Sequence, residues 1–281
     1  MIRIKTVEQI INNINDLPSL PDIILQVTRI IEDPNSTAQD LGDIINKDQS
    51  LTARVLRMAN SAHYGFPRRI ATVTDAVILL GFQTVKSIAM AASVCDMLNR
   101  EMKGYALNSG DLWKHSQSVA IISKFLAKRV KYPLPHLAYT VGLLHDIGKV
   151  ILNQYLMEQY QEVVQEANDN KMPFIDAETK VFGYNHADVG AKMAEKWNLP
   201  PQIYEAIQNH HTPLEKTVDP TLTNIVYLAD AVAMTMGIGL GVDGLCYSSH
   251  PDVLNQLKIK SEDIEETIIN ISEILIDENN F

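Results

Sequence analysis

The chain has 281 residues, 46% of them hydrophobic, and a formal net charge of −10, which is length enough for one large or two smaller domains with a substantial core. The acidic balance disfavours nonspecific nucleic-acid binding, because phosphates are repelled at long range, and no run reaches the ~20 apolar residues of a membrane span. The 2 cysteines, Cys95 and Cys246, are far apart and exclude a disulfide framework or a cysteine zinc site.

The start, Met1-Ile-Arg-Ile-Lys, lacks the apolar region and cleavage site of a signal peptide, so a cytoplasmic protein is expected. Leu17-Pro-Ser-Leu-Pro21 leads into a helical pattern at Ile23, Ile24, Val27, Ile30 and Ile31. Ser36-Thr-Ala-Gln39 reads as a capping box before Leu41, Ile44 and Ile45. Asp48-Gln-Ser-Leu-Thr52, Asn60-Ser61 and Tyr64-Gly65 follow, with His63 a turn or packing residue in that bend. Gly81 is placed to stop the short apolar helix over Ala76–Leu80. Phe82 to Leu98 forms a long, nearly apolar helix, with Cys95 expected as a buried thiol. Arg54, Arg57, Arg68 and Arg69 are too few to reverse the acidic balance and read as a solvated face. The segment Asn99-Arg-Glu-Met-Lys-Gly104 breaks the apolar pattern, giving an N-terminal bundle over 1–103 and a second helical unit over 104–281.

Ser109-Gly-Asp111 precedes the run Leu112, Val119, Ile122, Phe125 and Leu126, placing His115 in the second turn of a helix and Asp111 where a charge favours its N-terminus. His136 after Pro135 is expected as an exposed helix-start residue. Leu137 to Leu152 reads as one amphipathic helix, with His145, Asp146 and Lys149 sharing a sector. A helix beginning at Asn185-His186 runs toward Trp197, and another over Gln202 to Asn209 ends at His210-His211 before Pro213. Asp230 lies beside the stripe Leu222, Ile225, Val226, Ala229 and Val232, and a carboxylate buried there needs a partner. Gly237 to Gly244 has no preceding strand and no Gly-Lys-Ser, so it reads as a flexible connector rather than a phosphate loop. His250 is a loop residue, and the last helix, Ser261 to Ile276, packs back onto the body. Trp113, Trp197 and the helical methionines are core material.

Of 8 histidines, His115, His145, His186, His210 and His211 accompany Asp146 and Asp230. Imidazole nitrogens and carboxylate oxygens are the donors that a borderline or hard divalent metal accepts. Any one of these histidines is explained as a cap or a core residue; seven residues in this order point to a metal centre. No serine or cysteine nucleophile constellation and no paired-carboxylate signal competes with it.

This order, His then His-Asp then His then His-His then Asp on helices, resembles the HD superfamily of metal-dependent phosphohydrolases. Together with the N-terminal motifs it is similar to the HDOD domain, a bacterial signal-output module related to that superfamily, over roughly Leu17 to Asp230. The resemblance implies an all-α helical bundle of two packed helical subdomains. It implies one divalent ion on His115, His145, Asp146 and Asp230, and a second on His186, His210 and His211, with Asp146 shared. Iron, manganese, zinc or nickel would suit such donors. Paired ions ~3.5–4 Å apart can activate water against phosphorus, with Lys149 holding a phosphate oxygen or steering the nucleophile. Many HDOD domains have lost these ligands, whereas this chain keeps them all. HD-GYP phosphodiesterases carry Gly-Tyr-Pro after the paired histidines, where this chain has Thr212-Pro213-Leu214. The expectation is a regulatory protein with a divalent metal site that meets a signalling partner or a small phosphorylated ligand, and the alternative is a working phosphohydrolase.

Overall fold

Thr37, Asp48, Thr72, Asn185 and Asp219 each cap the helix that follows them, their side chains accepting from a backbone amide of its first turn. The computed structural model describes residues 22–66, 69–241 and 251–278; residues 17–21, Arg68, Gly244, Cys246 and His250 lie outside them, as does the N-terminal start. No strand occurs among the described residues, and Met102 and Leu107 form an isolated antiparallel bridge.

The described residues divide into two compact units, one within 97–268 and one within 22–96 together with 269–278. In the smaller unit α1 (Asp22–Glu32), α2 (Ala38–Ile45), α3 (Gln49–Ala59), α4 (Val73–Leu80) and most of α5 (Phe82–Leu98) surround a core that includes Ile24, Val27, Leu41, Ile45, Val55, Val77, Val85 and Ile88. The capping box at α2 lies one residue later than expected: Thr37 accepts from the Asp40 amide, and Asp40 reaches back to the Thr37 amide at 2.8 Å. Asp, like Glu, supplies the returning carboxylate, so the reciprocal bonds form with Thr37 rather than Ser36 as the cap. Gly81 ends α4 at φ 84°, a conformation open to glycine. Cys95 is half-buried rather than buried, and burial pushes its thiol pKa up.

The larger unit is built on α6 (Asp111–Arg129), which packs against α7 (Pro135–Leu144) and α13 (Pro220–Thr235). Gly142 permits the first contact, since a Cβ there would lie 2.9 Å from the Val119 carbonyl oxygen. Two further helices, α8 (Ile147–Leu156) and α11 (His186–Lys196), pack on each other, with α12 (Pro201–Gln208) against α11. Between them come α9 (Tyr160–Asn170) and α10 (Phe174–Phe182), and the chain continues through α14 (Pro251–Leu257) into α15 (Ser261–Glu278). Arg129 at the end of α6 pairs with Asp263 and Glu266 of α15.

The single helix expected over 137–152 is two. His145 still has helical dihedrals, but Asp146 (φ −98°, ψ 9°) leaves them and α8 restarts at Ile147. The apolar spacing runs on across the break because the interruption is one residue long, so periodicity alone does not report it. His136, expected exposed, is half-buried at the start of α7.

Candidate metal centre

The candidate ligands lie within helices or in the turns at their ends. His115 stands in the second turn of α6, and His145 and Asp146 form the break between α7 and α8. Asp146 occupies the N-cap of α8 without capping it; its carboxylate instead takes the Lys149 ammonium at 2.6 Å. His186 is the first residue of α11, behind an Asn185 and Asp188 capping box. His210 and His211 lie in the turn after α12, and Asp230 lies within α13.

The other six residues gather around Asp146. Its Oδ2 lies 3.3 Å from His145 Nε2 and 3.7 Å from His115 Nε2, while Asp230 Oδ1 lies 3.1 Å from His115 Nε2 and 3.8 Å from His145 Nε2. Its Oδ1 lies 3.4 Å from His186 Nε2 and 3.7 Å from His210 Nε2, and His211 Nε2 is 3.0 Å from His186 Nε2. Two donor groups result, His115–His145–Asp146 and Asp146–His186–His210–His211, each with its donor atoms within 4.8 Å of one another. All are buried except His211, which is half-buried. Asp111, His63 and His136 belong to neither group; Asp111 accepts from the Asn108 amide at 2.7 Å.

The imidazoles are aimed from behind. His115 Nδ1 meets the Ile238 carbonyl at 3.0 Å, His145 Nδ1 that of Gly142 at 2.7 Å, and His210 Nδ1 that of Ile207 at 2.6 Å. His186 Nδ1 meets Glu178 Oε2 at 2.6 Å. An Nδ1–H donated to an acceptor leaves the Nε2 lone pair facing the cluster, which is the arrangement of a metal-ligating histidine.

The residues fit a divalent cation on a specific observation. His145 Nε2, Asp146 Oδ1 and His210 Nε2 are buried polar atoms with no hydrogen-bond partner. Each such atom costs about 1–3 kcal/mol when left unmade, and a cation accepting their lone pairs removes the cost. Protonation agrees. Burial alone would raise the Asp146 carboxyl, but His145 and Lys149 hold it well below the usual range. Burial likewise opposes ionisation of Asp230, and the His115 hydrogen bond with the His145 charge keeps its pKa low. Burial drives His210 down, and drives His211 well down with help from His210 and His186. His145 is the exception: burial lowers it, yet Asp146 and Asp230 raise it overall.

Three parts of the site were absent from the sequence reading. Glu178 stands on the buried stripe Phe174, Ala177 and Phe182, and a carboxylate on such a stripe was the available signal. Gly148 brings α8 onto the start of α11. The segment expected as a flexible connector is structural where it is described: Gly237 and Gly239 take positive φ, Ile238 is buried and orients His115, and Gly239 lies against the His115 Cβ.

The HDOD domain family model matches residues 17–213. Among solved structures, an HDOD domain protein of unknown function from Geobacter sulfurreducens has a TM-score of 0.75 at 28% identity, covering 95% of this chain and 96% of that one. A candidate phosphohydrolase from Shewanella amazonensis SB2B has a TM-score of 0.73 at 25% identity, covering 94% and 93%. A candidate signal transduction protein from Marinobacter aquaeolei VT8 has a TM-score of 0.73 at 25% identity, covering 93% of this chain and 58% of that one. The chain spans 40%, 30% and 26% of three curated relatives that it matches.

Proposed function

The chain belongs to the HDOD domain family, and from that premise we propose that it is a regulatory, signal-transduction protein whose His and Asp cluster holds divalent metal. His115, His145, Asp230 and Asp146 Oδ2 would hold one ion, and His186, His210, His211 and Asp146 Oδ1 a second. A divalent pair in such a cage supplies Lewis-acid polarisation of phosphate oxygens. Iron, manganese, zinc and nickel all suit these donors.

The observation that carries the regulatory reading is closure. Six of the seven donors are buried, and the Lys149 ammonium lies against Asp146 Oδ2 under the Tyr105 ring, 5.4 Å from its centroid. A cation in a closed cage can stabilise one arrangement of the helices that surround it, and a partner protein or a small phosphorylated ligand can then read that arrangement. The likeness to a candidate signal transduction protein supports the same direction.

Hydrolysis of a phosphate ester is the second reading. It is favoured by Lys149, a buried cation beside the shared carboxylate that could swing to a phosphate oxygen, and by the likeness to a candidate phosphohydrolase. Thr212-Pro213-Leu214 in place of Gly-Tyr-Pro argues against cyclic dinucleotides as its substrate.

Elemental analysis of protein purified without a metal-affinity tag tests the metal, and a panel of phosphomonoesters, nucleotides and cyclic nucleotides with added manganese tests the chemistry. Bound metal with no turnover is expected. Turnover weakened by Lys149→Ala would transfer the assignment to the hydrolase reading, and metal-free protein that takes up none would end both.

A further inference from the structure

The Nδ1 atoms of His115, His145 and His210 meet main-chain carbonyls, whereas that of His186 leans on a side-chain carboxylate. Glu178 is fully buried and accepts from four donors: His186 Nδ1 at 2.6 Å, the His186 amide at 3.0 Å, the Tyr105 hydroxyl at 2.5 Å and the Tyr160 hydroxyl at 3.2 Å. The single Tyr160 hydroxyl hydrogen is shared between Glu178 and the Tyr105 hydroxyl. Both tyrosines are buried, and Gly104 leaves room for the Tyr160 ring, since a Cβ there would lie 2.5 Å from it. The carboxylate is therefore immobilised before any ion arrives, and it sits behind one donor group only.

Resting on the metal reading, we propose that Glu178 is a positioning residue that fixes His186 as its Nδ1-protonated tautomer and thereby sets the affinity of the His186–His210–His211 position independently of the His115–His145–Asp230 position. The Nδ1–H donated to Glu178 leaves the His186 Nε2 lone pair directed toward Asp146 Oδ1, 3.4 Å away. The carboxylate charge behind the ring makes that lone pair a stronger donor, an outer-shell effect that commonly changes metal affinity by about 10- to 100-fold. A neutral carbonyl behind His115, His145 or His210 supplies orientation with less added donor strength.

The test is Glu178→Gln, which keeps the shape and an acceptor oxygen but removes the charge. Manganese titration of the full chain should show one of two binding steps weakened about 10- to 100-fold and the other unchanged. Histidine 15N NMR of the metal-free protein should show His186 as a single Nδ1–H tautomer in the parent and as a mixture in E178Q. Equal weakening of both steps, or no weakening, overturns the proposal. If the parent protein takes up no manganese, the metal reading has failed, and the metal-free spectra still decide the positioning role: an unchanged tautomer in E178Q overturns it. Should E178Q not fold, Glu178→Asp retains the charge and should weaken the same single step by less than about 10-fold; loss at both steps overturns the proposal there as well.

Discussion

Gly148 and His186 meet backbone to backbone: a Cβ built on Gly148 would lie 1.9 Å from the His186 carbonyl oxygen and 2.7 Å from the Gly190 amide nitrogen. No rotamer change relieves such a clash, so the glycine in His145-Asp-Ile-Gly-Lys149 is what lets the helix carrying Lys149 approach the one that begins at His186. Gly148→Ala should push those helices apart and destabilise the protein by about 1–3 kcal/mol or more. At this size that corresponds to a fall in Tm of roughly 2–4 °C for each kcal/mol. An unchanged thermal midpoint would show that the approach is not needed.

Asn185 caps the same helix, accepting from the Asp188 amide at 3.0 Å while Asp188 accepts from the Asn185 amide at 3.2 Å. Asn185→Ala should cost about 1 kcal/mol, the ordinary loss of an N-cap, read as a lower urea midpoint with an unchanged slope. Because His186 is the next residue, metal release should also quicken in a chelator chase, which Asn185→Asp restores.

Asp146 offers a different oxygen to each donor group, so Asp146→Asn should empty both positions, whereas Asp230→Asn should affect only the group of His115 and His145. Metal content per chain should fall furthest in the Asp146 variant. Equal residual metal in the two would remove Asp146 from its shared role.

His136 lies apart from the cluster and gives a pH signature of its own. Its Nδ1 is buried without a partner, and burial, then Lys124 and Lys128, lower its pKa to about 4. The folded pKa is below the ordinary value of about 6.5, so between these values the unfolded chain binds a proton that the folded chain does not. Stability should therefore fall as pH drops from about 6.5 toward 4, by less than the full linkage slope of about 1.4 kcal/mol per pH unit because the ring is half in solvent. His136→Gln should flatten this part of a urea-midpoint profile. A profile that superimposes on the parent's would place the titration elsewhere.

The all-helical architecture was legible because helical spacing is written in local sequence, and donor chemistry marked the candidate ligands, whereas the shared place of Asp146 came from the resemblance to the HD superfamily. His115, Asp146 and Asp230 announce themselves by residue type and by the apolar pattern around them. What escaped was tertiary or lasts a single residue. The break at Asp146 leaves the hydrophobic period intact, and the shift of the capping box from Ser36 to Thr37 turns on which hydroxyl meets an amide. Glu178 touches His186 across a loop, a contact that no spacing rule specifies. Gly148 and Gly239 looked like ordinary glycines until the backbones they admit were in place.

Anchoring imidazoles on peptide oxygens also bears on how such a protein changes over generations. The Gly142, Ile207 and Ile238 carbonyls exist whatever side chain follows, so point substitution cannot delete these supports. A lineage can thus exchange a donor, surrender its ion and keep the surrounding helices in register. The Glu178 prop has no such insurance, which makes the side of the cage it serves the first to be lost by drift.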